Sequence, residues 1–166
     1  TAPQRVLYVS GMLLSMQNVV NDAGIKIQDG LVPKDLKGIQ TDSKRDGAQI
    51  VNQIKEFLTA RKIPIDKQNL MLASFSEISK DAQRDEITKL DKEVSKLISN
   101  DSSSNKQIFS FIYHNIFLSI DAMVGHLDIM GEMYSEFLKY ALGDGKEIGI
   151  VLTPPYITKM MATLLS

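Results

Sequence analysis

Apolar residues return every three or four positions along most of this chain, and that spacing decides its fold class. Between Ser43 and Arg61, Ile50, Val51, Ile54, Phe57 and Leu58 form one stripe, the pattern of a helix with one buried face. Ser43 followed by Asp46 reads as a capping box with Asp in place of the usual Glu. From Gln4 to Val20, Val6, Leu7, Val9, Leu13, Leu14, Met16, Val19 and Val20 fall at similar spacings. This predicts a buried helix in which Ser10 and Gly11 let another backbone approach, and which Asn21-Asp22-Ala23-Gly24 ends.

The region from Ile25 to Asp42 reads as irregular, punctuated by Gly30, Pro33 and Gly38. After Pro64, Asp66 is placed to cap a short helix carrying Leu70, Met71, Leu72 and Phe75. Ser79 to Ile98 carries Ile87, Leu90, Val94, Leu97 and Ile98 on one face and predicts a further amphipathic helix. Ser99 to Asn105 is polar and reads as a hinge or loop. Ile108 to Ile120 is dense in Phe, Ile and Tyr. A helix is expected over about Leu127–Leu142, stopped by Gly143-Asp144-Gly145. The expected fold is therefore mainly α, an irregular multi-helix bundle, with a short extended segment near 147–152. The expected organisation is a helical domain over 1–142 with a hinge at 99–105, then a linker and the first elements of a second domain over 143–166.

With 166 residues the chain is long enough for a domain with its own core. A net charge of -1 gives no global argument for binding nucleic acid, although a local basic patch is compatible with it. The absence of Cys excludes disulfides and thiolate metal sites and fits a cytoplasmic protein. The apolar stretch Val6–Met16 is far shorter than the roughly 20 residues of a membrane span, so no membrane partner is expected. No secretory leader is visible. The chain lacks an initiating Met and ends without a helix stop signal, so a piece of a longer protein is expected.

Few residues invite a chemical role. His114 and His126 supply too few ligands for a zinc site and read as structural or surface residues. Asp85, Glu86, Asp91 and Glu93 alternate with Lys89, Lys92 and Lys96, the pattern of a solvated helix face. Gly143-Asp144-Gly145 lacks the Lys-Ser/Thr of a phosphate loop. The eight Met residues read mostly as core filler.

The segment Gly149-Ile150-Val151-Leu152-Thr153-Pro154-Pro155-Tyr156-Ile157-Thr158 is different. It reads as a strand, a corner and a helix start, with Thr153 as cap and Pro in the first turn. Three readings apply. Elementary conformational preference favours an ordinary turn. A catalytic reading compares Thr153-Pro154-Pro155-Tyr156 with the Asp/Asn-Pro-Pro-Tyr loop of amino-group DNA methyltransferases. There the acidic or amide side chain accepts from the target amino group and the ring stacks on a flipped base. Thr153 is a poor acceptor in that role, and no glycine-rich cofactor motif precedes it.

The third reading comes from resemblance. Asp128-Ile129-Met130-Gly131-Glu132-Met133-Tyr134-Ser135-Glu136-Phe137-Leu138-Lys139-Tyr140-Ala141, then Gly143-Asp144-Gly145-Lys146, then Gly149 to Pro154 and Ile157-Thr158 resemble the adenine-specific DNA methyltransferase (modification) subunits of type I restriction-modification systems. The stretch Val9 to Gln17 is similar to a subgroup of them; Gly24 to Ser104 matches nothing recognisable. The resemblance implies that the Thr-Pro segment lies just before a Rossmann-like catalytic domain and lines the S-adenosylmethionine pocket. Gly149, Ile150, Val151, Leu152, Thr153 and Pro154 would then contact that cofactor, with Thr153 foremost. The glycine-rich and Asn-Pro-Pro-Tyr/Phe motifs would follow Ser166, so no catalytic or metal-binding residue is assigned here, and this part alone is expected to be inactive. The implied partners are DNA and the specificity and restriction subunits of the same system. The alternative is a non-enzymatic helical module for protein-protein interaction.

Overall fold

A computed structural model describes the backbone of residues 2–121 and the side chains of residues 8–119. Helix α1 (Ala2–Ser15) lies against α2 (Asp46–Ala60), α3 (Ile65–Phe75), α4 (Glu77–Lys80) and α5 (Ser104–Ile112). Met12, Leu13 and Leu14 of α1, Ile50, Ile54 and Leu58 of α2, Met71 and Phe75 of α3, Ile78 of α4 and Phe109 of α5 form one buried core. The described part is mainly helical, as the spacing predicts. The stripe on α2 is correctly read: Ile50, Ile54 and Leu58 are fully buried, and Val51 and Phe57 flank them half-buried. Met12, Met16 and Met71 are likewise core residues.

Several boundaries differ from expectation, each for a local reason. Helix α1 stops at Ser15, where the Ser15 hydroxyl folds back onto the Met12 carbonyl at 2.7 Å. Val19 and Val20 do not continue it. They form strand β1 (Val19–Val20), paired antiparallel with β2 (Lys26–Gln28), a conformation that β-branched side chains favour. Asn21 to Gly24 is therefore a hairpin turn rather than a helix stop. The Asn21 carboxamide oxygen accepts from the Ala23 and Ile25 amides, each at 2.9 Å, and Gly24 takes a left-handed φ of 80°.

Gly11 faces the Phe75 and Ile78 side chains rather than a backbone. The close backbone approaches occur instead at Gly30, against the Met16 carbonyl, and at Gly47, against the Ile78 carbonyl. Helix α2 begins at Asp46, with Arg45 as its N-cap. Ser43 makes no capping box, because it sits in the 3-10 turn Asp42–Lys44 and its hydroxyl shares a hydrogen bond with Thr41. Helix α3 is preceded by Pro64, and Asp66 makes no cap bond.

The largest correction concerns Ser79 to Ile98. No continuous helix exists there. Helix α4 ends at Lys80; a 3-10 turn Ala82–Asp85, strand β3 (Ile87–Thr88) and a 3-10 turn Val94–Lys96 follow. Aspartates break the helical ladder by offering their own acceptors. Asp81 accepts from the Gln83 amide at 2.9 Å, and Asp91 from the Glu93 amide at 3.1 Å. Ile87 is 57% exposed, although the helical pattern assigns it to the core.

Strand β3 pairs antiparallel with β4 (Ser102–Ser103). Of the polar segment Ser99–Asn105, Ser102, Ser103 and Asn105 are buried. Ser103 caps α5 by accepting from the Lys106 amide at 2.9 Å. Helix α5 then widens into a π-helical turn, Tyr113–Phe117, before α6 (Leu118–Asp121). The expected helix at Leu127–Leu142, the 147–152 segment and the 142/143 boundary lie outside the described residues.

Candidate functional site

Two features of the described residues carry polar chemistry: a buried network and an open cleft beside it. In the network, Asp85 is fully buried and saturated. One of its oxygens accepts from the Gly47 amide at 2.9 Å and the Asn105 carboxamide at 2.8 Å. The other accepts from Arg45 Nη1 at 2.7 Å. Arg45 Nη2 also donates to the Ser79 carbonyl at 3.0 Å. The expectation that Asp85 sits on a solvated helix face is therefore overturned. A buried carboxylate needs charge and donors, and this one collects them from two separate segments, the start of α2 and the start of α5.

Asp46 lies next to it, also fully buried, and accepts from the Gly38 amide at 2.9 Å and from the Ser103 hydroxyl. Burial pushes the Asp46 carboxyl above the ordinary range. The Ser103 and Gly38 hydrogen bonds oppose that shift, and the nearby Asp85 charge adds to it. Each carboxylate oxygen of the pair has a protein donor, and neither aspartate lines the cleft. The arrangement is that of a structural clasp. Among the described residues no group of three or more His, Cys, Asp or Glu side chains is placed to hold a metal.

The cleft has a volume of about 750 Å3. Its walls come from the 3-10 turn Pro33–Asp35, from residues 95–100, from the start of α5 and from the π-helical turn. Lys34, Lys96, Lys106 and His114 line it, together with Tyr113, and no carboxylate does. Lys34 and Lys96 stand exposed at the rim, while Lys106, Tyr113 and His114 are half-buried. Tyr113 stacks with Phe109 and Phe117 at centroid distances of 6.4 and 5.5 Å and meets the His114 ring edge-on at 5.2 Å. Its orientation is thus held by core aromatics. Ser103, which clasps Asp46, also caps the helix that carries Lys106. The network therefore sets the position of that cleft wall.

Sequence reasoning misses this cleft, because its lysines come from segments with no shared motif or period. The one local signal is the Tyr113–Phe117 π-turn, a feature often found at functional sites, and it has no sequence signature. Gly149, Ile150, Val151, Leu152, Thr153 and Pro154, expected to contact S-adenosylmethionine, lie outside the described residues, as does His126. Among the described residues no helix is long and apolar enough to cross a membrane.

No family model matches the chain, and no solved structure matches it. The chain is similar, at 32% identity over 126 residues, to the Type II restriction enzyme and methyltransferase RM.BcgI of Heyndrickxia coagulans. The match covers 72% of this chain and 17% of that protein. This chain thus spans about a sixth of the length of the curated relative that it matches. A match of this extent cannot be contained within residues 122–166, so it reaches into the described helical part. The relationship that it supports is to a restriction-modification methyltransferase.

Proposed function

We propose that this chain is the amino-terminal helical part of an adenine-specific, S-adenosylmethionine-dependent DNA methyltransferase of a restriction-modification system. The observation that carries this reading is the similarity to the H. coagulans protein over 72% of the chain. The Ile129–Leu164 motifs agree with it. In this reading the complete, cytoplasmic protein performs methyl transfer. The helical part supports assembly with the specificity and restriction subunits and helps close the complex on DNA. Gly149 to Pro154 form one wall of the cofactor pocket.

The test uses the complete protein with its partner subunits, duplex DNA and methyl-labelled S-adenosylmethionine. After digestion to nucleosides, label is expected in N6-methyladenine. Label on cytosine, or no transfer, overturns the reading. In the same protein Thr153→Val is expected to weaken cofactor binding roughly fivefold, the loss of about one hydrogen bond; an unchanged affinity removes Thr153 from the pocket.

The name of the H. coagulans relative favours a second reading of the subunit plan. The complete protein would then be a type II enzyme that cuts as well as methylates, rather than a type I modification subunit. Cleavage of unmethylated DNA in the absence of a separate restriction subunit distinguishes the two.

A further inference from the structure

The geometry points to the cleft between residues 33–34, 95–100 and 102–114 as a seat for the phosphate backbone of duplex DNA, held by Lys34, Lys96 and Lys106. This inference rests on the proposed function for its choice of DNA, and on the cleft itself for its chemistry.

The chain as a whole has 19 basic and 20 acidic side chains, so an even mixture of signs is the expectation for any surface region. The cleft departs from it, with Lys34, Lys96, Lys106 and His114 and no carboxylate. Lys96 has Glu93 within 3.1 Å, but that pair is solvent-exposed on both sides and exchanges readily for another anion. Lys106 feels the buried Asp46 charge, but the Asp46 oxygens are taken by Gly38 and Ser103, so the ammonium is not clasped by it. Asn100 and Ser99 stand exposed beside the lysines and add neutral hydrogen-bonding groups of the kind that accompany phosphate contacts.

The cleft is open to solvent, with Lys34 and Lys96 exposed and Tyr113 half-buried in its ring stack. Gln107, next to Lys106, braces the segments around it. The Gln107 carboxamide donates to the Lys89 and Ser102 carbonyls at 3.1 and 3.0 Å and accepts from the Asp91 amide at 2.9 Å. The segment 89–91, which leads into the 3-10 turn bearing Lys96, is thereby tied to the helix bearing Lys106. Lysines serve here as point charges that fix position without reading bases.

The test measures binding of the complete protein, with its partner subunits, to a 30-base-pair duplex across a range of salt concentrations. Lys34→Gln, Lys96→Gln and Lys106→Gln are each expected to weaken binding roughly fivefold near 0.15 M salt and to reduce the salt slope by about 1. The loss should be the same on a duplex with the recognition site and on one without it. Lys55→Gln and Lys67→Gln, outside the cleft, should leave affinity and slope unchanged. Thermal melting of each variant controls for folding. If the wild type binds DNA and the cleft variants keep its affinity and slope, the inference fails while the proposed function stands. If the wild type neither binds nor methylates DNA, both fail.

Discussion

Arg45 Nη1 stands 2.7 Å from a carboxylate oxygen of Asp85, and the two side chains are 13% and 0% exposed. This ion pair joins the start of α2 to the 3-10 turn that follows α4, 40 positions along the chain. Gly47 and Asn105 complete the donor set on Asp85.

Removing the cation of a buried pair leaves its carboxylate charged and uncompensated. Arg45→Met strands the fully buried Asp85 in this way and is expected to cost about 3–5 kcal/mol in chemical denaturation. Asp85→Asn should cost less than that, because Arg45 is partly exposed and keeps the Asp42 carboxylate at 3.2 Å and the Ser79 carbonyl as partners. The double variant should lose less than the sum of the single ones, since both break the same contact. Additive losses would show that the pair is not coupled.

Asp46 makes a pH-dependent contribution whose sign follows from its raised pKa. Protonation favours the folded state. The contribution is fully present below the unfolded value of about 3.9 and is lost as pH rises through the folded value. Asp22 and Asp29 are lowered by Lys62 and Lys26 and act in the opposite direction, so the comparison must be made between variants. The stability of wild type relative to Asp46→Asn should fall as pH rises across that window. Ser103→Ala removes an opposing hydrogen bond and should move the Asp46 titration midpoint, followed by carboxyl NMR, further upward. A downward movement would contradict the assigned contact.

The glycines should rank by what an added methyl meets. At Gly30 a Cβ would lie 2.0 Å from the Met16 carbonyl oxygen, and at Gly47 2.4 Å from the Ile78 carbonyl oxygen. Both neighbours are backbone and cannot yield locally. Gly24 has open space around it, and only its φ of 80° opposes a side chain. Gly24→Ala is expected to cost about 1–2 kcal/mol, and Gly30→Ala and Gly47→Ala distinctly more. Equal melting temperatures for the three variants would refute the close approaches.

Ile87 separates the observed course of residues 79–98 from a continuous amphipathic helix. Ile87→Thr should cost under about 1 kcal/mol, because the side chain is 57% exposed and Thr suits a strand. Phe109→Ala, at a fully buried position, should cost about 3–5 kcal/mol. A core-sized loss at Ile87 would restore the helix.

The legible parts of the fold are those decided within a few turns of chain. Ile50, Ile54 and Leu58 mark the buried face of α2 because each lies one turn from the next. Met71 and Phe75 do the same for α3. The misread parts are those where polar groups find distant partners. The stretch from Ser79 to Ile98 has helical spacing, but Asp85 gains more from Arg45, Gly47 and Asn105 than from solvent on a helix face. The polar run from Ser99 to Asn105 contains the cap of α5 and the donors for two buried aspartates. Its composition is the same in a loop and in an interior network.

The sequence by itself determined a mainly helical chain with its apolar faces on α2 and α3, since hydrophobic spacing is a local property with a fixed period. It also carried the motifs beyond residue 121, which resemble those of a methyltransferase family. Only the tertiary structure decided that Asp46 and Asp85 are interior and that Lys34, Lys96 and Lys106 share one cleft. Burial of a charge and convergence of like charges depend on segments far apart in the chain, and no periodicity records which segments will meet.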